Sequence, residues 1–320
     1  MLTEAELQQI CRSYQIVCPV CATSNQHYRL KRDMARAAKS EGDGHPTKWK
    51  WGKPGFDSVD PKQLFMGECS KCGFTGELED AKYRTAGENP ESFKKDYSAE
   101  ALQGLIAASA VGKGAAQSLL KRISDDDPFG STHAKIHLGI LSQCLQSRIA
   151  PGTIARYYLR VAWLYRDKEI YYADTDLDAH TESVRKLRKR WSKELPTHSD
   201  YPAPPDIVLN EVEALKTSRT FFDRNYETLK EASQEDELRL RLLLAEIGFR
   251  LYELTNDEQD YKKAALFFSG TMQKCLSIIS DKTIVGGLVN RAREMLEAGN
   301  CAHCTRVGTA VMMRARGRLP

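Results

Sequence analysis

The spacing of apolar residues changes near residue 97. From about Ser98 onward, apolar positions recur every three or four residues over successive stretches of roughly 15 to 25 residues, the period of amphipathic helices. In "STHAKIHLGILSQCLQSR", for example, Ile136, Ile140 and Cys144 fall on one face. Ser98 is placed to cap the first of these helices. The connections are short, so the pattern predicts antiparallel helices arranged as a bundle or a helical-repeat solenoid.

Residues 1–97 follow no such period. They combine four clustered cysteines with many glycines and prolines, and "EGDGHPTKWKWGKPGFDSVDP" is too rich in turn formers for a long helix. Within it, "HPTKWKWG" alternates as a short strand does. We therefore predict a module over 1–97, a helical domain over 98–300 and a basic, cysteine-containing tail over 301–320.

Composition predicts a folded protein of the cytoplasm. Of the 320 residues, 41% are hydrophobic and 28% are charged, which is typical of a folded domain. The N-terminal "MLTEAELQQICRSYQ" lacks the basic and apolar regions of a secretory signal. No stretch approaches about 18 consecutive apolar residues, so we expect no membrane segment.

Six of the nine cysteines form three Cys-x-x-Cys pairs. Such pairs inside a cell indicate metal binding first and redox chemistry second. Each short turn directs both sulfur atoms to one side, so two pairs can complete a tetrahedron around Zn²⁺. We predict that the first two pairs bind one structural zinc ion; the alternatives are unrelated buried thiols and a redox pair, which would need a βαβ context. The predicted ligands are Cys18, Cys21, Cys69 and Cys72.

The length of chain between the two pairs is compatible with one zinc site. Residues 22–68 separate them, which exceeds the usual ribbon spacing of about 15–20 residues. Doubling the length of a loop raises the free energy of closing it by only about 0.6 kcal/mol, whereas binding a structural zinc ion contributes about 10–16 kcal/mol to folding. The module is poor in apolar residues, and the metal would stabilise it in place of a large core.

The third pair leaves two interpretations open. Cys301, His303 and Cys304 offer three ligands for a second metal, with a fourth from His198, His180 or Cys275. The alternative is two thiols near a chain end. Two single residues are weaker candidates for metal ligands than these three. Cys11 falls on an apolar helical face and is expected in the core, and His27 has no partner at ligand spacing.

Three basic stretches of the chain could bind nucleic acid. Arg29–Lys53 is interleaved with Trp49 and Trp51, Arg185–Lys193 surrounds Trp191, and Thr305–Pro320 contains arginines and no acid. Basic side chains beside aromatic rings suit phosphates and stacked bases. The alternative is that these cations form solvated faces and the tryptophans belong to the core.

Several motifs together resemble a known bacterial family. They are the paired knuckles "CPVC" and "CSKCG", then "RVAWLYRD", then "LLLAEIGFRLYELTNDEQDYKKAALFFSGTMQ". This combination is similar to the family called domain of unknown function 2225. The resemblance implies a zinc-ribbon-like start joined to tetratricopeptide-like helices, and no reaction. The chain departs from the family pattern in lacking a proline after Cys69 and a glycine after Cys21.

The repeat pattern is visible in the residues themselves. A tetratricopeptide unit has small residues where its two helices approach, and Gly248 and Ala264 suit these places, with Tyr261 and Phe268 beside them. Their separation exceeds that of a standard unit by about one helical turn, so we predict helix hairpins rather than regular repeats. The predicted fold class is mainly α, with a small zinc-ribbon-like α+β module followed by a tetratricopeptide-like antiparallel helical array.

These features predict a cytoplasmic zinc-binding adaptor that binds a protein or peptide partner through a helical-repeat groove. The alternative is a nucleic-acid-binding protein that uses the zinc module and the basic stretches. We do not expect an enzyme, because the chain lacks H-E-x-x-H, G-x-S-x-G, Walker and Rossmann patterns.

Overall fold

The computed structural model describes residues 2–194, 205–229, 234–284 and 286–297. The protein is mainly helical, with small antiparallel sheets near the N-terminus, which confirms the predicted class at that level. Contacts divide the chain into two compact units. The first comprises Met1–Lys39 and Pro46–Arg224, and the second comprises Ser40–His45 and Asn225–Pro320. Apart from Ser40–His45, the segment before residue 97 is in the same unit as the helices that follow it up to Arg224. The predicted division into a module, a helical domain and a tail stays a prediction.

The strands form three two-stranded sheets, each made of neighbours in the chain. The strand predicted in "HPTKWKWG" is confirmed as β4 (Pro46–Trp51). Cys11 begins a strand rather than lying on a helix, although it is buried as expected. The pairs are β1 (Cys11–Val17) with β2 (Ser24–Leu30), β3 (Ala35–Ser40) with β4 (Pro46–Trp51), and β5 (Met66–Glu68) with β6 (Thr75–Glu77).

The helices up to residue 229 follow the predicted periodicity. Ser98 caps α4 (Ala99–Ala110) as expected, since its side chain accepts a hydrogen bond from the Ala101 N–H. Pro151 lies in the first turn of α7 (Pro151–Arg166). A short 3-10 helix covers Pro61–Leu64. The α-helices are α1 (Glu4–Ile10), α2 (Ala81–Arg84), α3 (Pro90–Lys94), α4 (Ala99–Ala110), α5 (Ala115–Leu120), α6 (Pro128–Cys144), α7 (Pro151–Arg166), α8 (Lys168–Tyr171), α9 (Leu177–Glu194) and α10 (Glu211–Leu229).

Helix α6 is the centre of the first unit. Almost all of its residues are buried, and it packs against α5, α7 and the β5–β6 hairpin. A glycine lets the hairpin come close, since a Cβ atom at Gly139 would lie 2.4 Å from the Met66 Cε atom. The Ser142 hydroxyl also accepts a hydrogen bond from the Thr75 N–H at 2.9 Å. The second cysteine turn, which closes this hairpin, is therefore held against the helical core.

A buried ion network joins the first 97 residues to the helices. The Lys62 Nζ atom lies 2.5 Å from Asp167 Oδ2, at the end of α7, and 3.0 Å from Asp60 Oδ2. All three side chains are at most 1% exposed. Tyr172 donates from its hydroxyl to Asp60 at 2.8 Å. Breaking a buried pair of this kind costs about 3–5 kcal/mol, so the network holds the segment around Lys62 to the end of α7.

The second unit contains α11 (Gln234–Thr255), α12 (Glu258–Ser280) and a further helix over 287–297, here α13. Helices α11 and α12 form a hairpin in which Gly248 lies against Ala264, as the sequence suggested. A Cβ atom at Gly248 would be 2.9 Å from the Ala264 Cβ atom. The Phe249 ring packs beside Tyr261 and Phe268, with centroids 5.7 and 6.2 Å apart. The small residue therefore sets the distance between the two helices.

We predict that Gly248→Ala and Gly104→Ala shift stability in opposite directions. The new methyl group at residue 248 would overlap Ala264 and should lower the free energy of unfolding of this unit by about 1–3 kcal/mol. Gly104 lies within α4 with no atom within 4 Å of an added Cβ, so alanine there should stabilise by up to about 1 kcal/mol. Thermal and urea unfolding measure both changes. Equal effects of the two substitutions would contradict the close approach.

Candidate metal centre

The two cysteine pairs occupy equivalent hairpin turns. The first pair lies between β1 and β2, and the second lies between β5 and β6. In each turn, the residue after the second cysteine donates its N–H to the carbonyl of the first cysteine. The N–H of the first cysteine donates in turn to the carbonyl of the residue two positions after the second cysteine. The bonds are Ala22 N to Cys18 O at 2.9 Å, Cys18 N to Thr23 O at 2.8 Å, Gly73 N to Cys69 O at 2.9 Å and Cys69 N to Phe74 O at 2.8 Å.

Both turns need a left-handed residue directly after the second cysteine. Gly73 adopts φ 78° there, as expected of glycine, and Ala22 adopts φ 57° at the corresponding position. The missing glycine after Cys21 therefore leaves the turn geometry intact, at a cost of roughly 1 kcal/mol. Ala22 is exposed, which gives its methyl group room, whereas Gly73 is packed against α5 and α6.

The four sulfur atoms converge on one point. Cys18 Sγ lies 3.6 Å from Cys72 Sγ, and Cys21 Sγ lies 3.4 Å from Cys69 Sγ. All four atoms lie within 4.8 Å of one another. Thiolates bound tetrahedrally at about 2.3 Å would have sulfur–sulfur edges of about 3.8 Å, so the cluster has the dimensions of such a site. Three of the cysteines are buried and Cys21 is partly exposed. The group can therefore hold a metal ion.

The crowded sulfur atoms perturb one another's ionisation. Hydrogen bonds with Cys18 and Cys69, followed by burial, raise the pKa of Cys72. Hydrogen bonds with Cys18 and Cys72 lower the pKa of Cys69. Without a metal, one thiolate would accept hydrogen bonds from the neighbouring thiols. A divalent cation would stabilise all four cysteines in the deprotonated form.

A side-chain contact also joins the two turns. Asn25, just after the first turn, accepts at its Oδ1 atom from the Ser70 N–H at 2.9 Å and from the Ser70 hydroxyl at 2.8 Å. Its Nδ2 atom donates to the Thr23 carbonyl at 2.9 Å. The first turn is therefore held to the second, which is itself packed on α5 and α6. Nothing in the sequence indicated this pairing, because the two residues are 45 positions apart.

A cavity of about 430 Å³ lies beside the second turn. Lys135 lines it and pairs with Glu68 at 3.1 Å, through Oε1. The Glu68 Oε2 and His27 Nε2 atoms are buried without a hydrogen-bond partner in the described part of the chain. Burial lowers the pKa of His27, so this imidazole is neutral near pH 7. His27 could not be recognised from the sequence, because Glu68 and Lys135, which line the cavity with it, lie far away in the chain.

The structure separates the other predicted ligand candidates from this cluster. Cys275 is fully buried in the apolar core of the second unit. His180 is buried in the first unit, where its Nδ1 atom lies 3.1 Å from an Arg122 guanidinium nitrogen. The other ligand candidates lie outside the described residues: His198, Cys301, His303 and Cys304.

Trp191, the tryptophan of the basic stretch Arg185–Lys193, is fully buried. Its indole N–H donates to the Pro205 carbonyl, so it belongs to the core.

Two buried histidines of α6 went unnoticed in the sequence, although their i, i+4 spacing was a signal. His137 contacts backbone through both ring nitrogens, at the His133 carbonyl and the Val208 N–H. The His133 Nε2 atom contacts the Val208 carbonyl at 3.1 Å. Burial lowers the pKa of His137 to about 4, so the ring stays neutral. This pair holds the segment around Val208 on α6. Among the described residues, only the four cysteines form a group suited to a metal.

One family comparison gives a match. The sequence model of a family described as "Uncharacterized protein conserved in bacteria (DUF2225)" matches residues 12–297, which include both cysteine turns. The comparisons with curated proteins and with solved structures gave no match. Within the described ranges, no helix combines the length and apolar character needed to cross a membrane.

We predict that Ala22→Gly and Gly73→Ala change stability in opposite directions. Glycine at residue 22 removes the left-handed strain and should raise the free energy of unfolding by up to about 1 kcal/mol. Alanine at residue 73 adds that strain and brings its Cβ atom to 3.1 Å from Ala116 and 3.2 Å from Leu138, so a loss of about 1–3 kcal/mol is expected. Urea titration compares the two variants. A stabilised Gly73→Ala protein would contradict the turn geometry.

Proposed function

The chain belongs to the bacterial family of uncharacterised proteins described as DUF2225, and on this basis we propose that it is a cytoplasmic zinc-binding adaptor. In this proposal the N-terminal region is a zinc-ribbon-like module, and the helices form a tetratricopeptide-like scaffold that binds a protein partner. The metal has a structural role and the protein carries out no reaction.

The donor set supports zinc as the bound ion. Four thiolates are soft ligands, and a tetrahedral sulfur site suits Zn²⁺. Four protein ligands also leave no coordination position for water, which is why the metal takes no part in catalysis here. Each pair closes a β-hairpin turn, and two such turns facing one ion are typical of a zinc ribbon. The sulfur cluster is the single observation that carries this part of the proposal.

The packing of the second unit supports a tetratricopeptide-like arrangement. Gly248 and Ala264 occupy the places of closest approach within one helix hairpin. The next helix, α13, packs on that hairpin through Ala292 and Met295, which join Leu238 of α11 in one apolar cluster. Each helix thus covers apolar surface of the one before it, as in repeat proteins.

The outer face of α12 supports the proposal that the chain binds a protein partner. Leu266 and Leu276 are 72% and 58% exposed on this helix. Ser269 and Gln273, which carry no charge, lie between them on the same exposed stripe. Two large apolar side chains with uncharged residues between them suit an apolar protein segment. The exposed Lys262 at the start of the stripe would favour an acidic residue in that segment.

Purified protein should contain about one zinc ion per chain. Cys69→Ser should lose this zinc and unfold the module, because one of four thiolates is missing. Cys11→Ala removes another buried thiol outside the cluster and should retain the metal. Elemental analysis measures the content. A folded, metal-free wild type, or full zinc retention in Cys69→Ser, would contradict the metal assignment.

A photo-crosslinking amino acid at Gln273 should capture one dominant protein in cells. Leu266→Glu with Leu276→Glu should abolish that product while leaving the melting temperature unchanged, since both side chains are exposed. The matched control is Val111→Glu with Ile170→Glu, which alters two side chains 65% and 59% exposed in the first unit and should keep the product.

Mass spectrometry of the crosslinked product identifies the partner. A product that survives the leucine double variant would place the contact elsewhere. A product made only of two copies of this chain would replace the adaptor proposal with self-association.

A further inference from the structure

The β3–β4 hairpin is basic on both faces. Its strands contain Arg36, Lys39, Lys48 and Lys50 and no acidic residue. All four side chains are exposed, and the two lysines of β4 have no hydrogen bond or ion pair within the described ranges. Arg36 pairs with Asp33 at 2.8 Å, whereas the two β4 lysines carry positive charge that favours an anionic partner.

The hydrogen bonds of the hairpin assign each cation to a face. The Gly52 N–H donates to the Met34 carbonyl at 2.8 Å, which places Arg36 opposite Lys50 in an antiparallel ladder. Because strand side chains alternate, Arg36, Lys48 and Lys50 share one face. Lys39 lies on the other face, together with Trp49 and Ala35.

The face with Trp49 borders a cavity of about 570 Å³. Arg29, Arg32 and Trp49 line it, and the Phe65 ring adds a second aromatic surface. The volume is that of a site for one small molecule, in the usual range of about 300–1,000 Å³. It is large enough for one unpaired nucleotide and too small for a duplex.

Two buried groups in this lining lack an acceptor. The Arg29 Nε and Trp49 Nε1 atoms are buried without a hydrogen-bond partner in the described part of the chain. Both groups can only donate, so their partner must be an acceptor such as a phosphate oxygen. The Arg29 NH1 nitrogen pairs with Glu79 at 3.3 Å, and its guanidinium carbon lies 5.3 Å from the centroid of the Tyr14 ring.

We infer that this cavity and the Trp49 face of the β3–β4 hairpin bind single-stranded nucleic acid. One nucleotide occupies the cavity, with its phosphate oxygens accepting from Arg29 and Trp49 and its base against an aromatic ring. Arg32, whose side chain is 96% exposed and lies 4.0 Å from the Asp33 carboxylate, and Lys39 contact phosphates on either side of that nucleotide. This inference is independent of the protein partner proposed for α12.

The test is fluorescence anisotropy with a labelled single strand of mixed sequence, longer than about 16 nucleotides, between about 50 and 200 mM salt. Wild-type protein should bind at low salt with a dissociation constant of about 1 μM or tighter, and affinity should fall steeply as salt rises. Arg32→Ala with Lys39→Ala should weaken binding roughly tenfold and reduce the log–log salt slope by about 1.4, for two lost phosphate contacts.

The opposite face of the same hairpin provides the matched control. Lys48→Ala with Lys50→Ala removes the same charge and should change affinity by less than about threefold, with most of the salt slope retained. Trp49→Phe keeps an aromatic ring but removes the donor, and should weaken binding roughly tenfold. The double variants alter only exposed side chains, so they remain informative if Trp49→Phe fails to fold.

Several results would overturn the inference. Absence of binding at low salt would do so, as would equal loss in the two double variants, which would indicate general charge attraction. Equal affinity for a blunt duplex would contradict the unpaired nucleotide. If a mononucleotide or inorganic phosphate bound as tightly as the strand, the cavity would be a small-anion site instead.

Discussion

The convergence of four sulfur atoms is the interaction on which the N-terminal region depends. It brings together two hairpin turns that residues 22–68 separate along the chain. Closing that loop costs little compared with the roughly 10–16 kcal/mol of a structural zinc site. The backbone bonds in both turns and the Asn25–Ser70 contact orient the sulfurs before any ion binds. The metal would then complete a geometry that the chain already favours.

The helices give this centre a rigid support. The β5–β6 hairpin packs on α6 through Gly139, and the second turn packs through Gly73. The buried pairing of Lys62 with Asp167 fixes the same region to the end of α7. The cavity beside Trp49 and the cysteine cluster belong to this same unit. The stripe on α12 belongs to the other unit and depends on its own core.

Local patterns predicted much of this structure, and long-range contacts account for what they missed. Apolar periodicity placed the helices, Ser98 was a correct cap, and Cys-x-x-Cys spacing selected residues whose sulfurs lie together. The division predicted at residue 97 rests on a change in composition, which reports local structure, whereas the contact units depend on packing between residues far apart in the chain. The pairing of Lys62 with Asp167 has no local signal in the sequence, because the two residues are 105 positions apart. The unpartnered donor on Trp49 likewise appears only when the folded cavity is seen.

X-ray absorption at the zinc edge of the purified protein tests the central claim most directly, because it reports the atoms bound to the metal. Convergence of both turns on one ion predicts a single shell of four sulfur atoms at about 2.3 Å. A shell containing nitrogen or oxygen, or only two sulfur atoms, would show that the two turns do not share the ion.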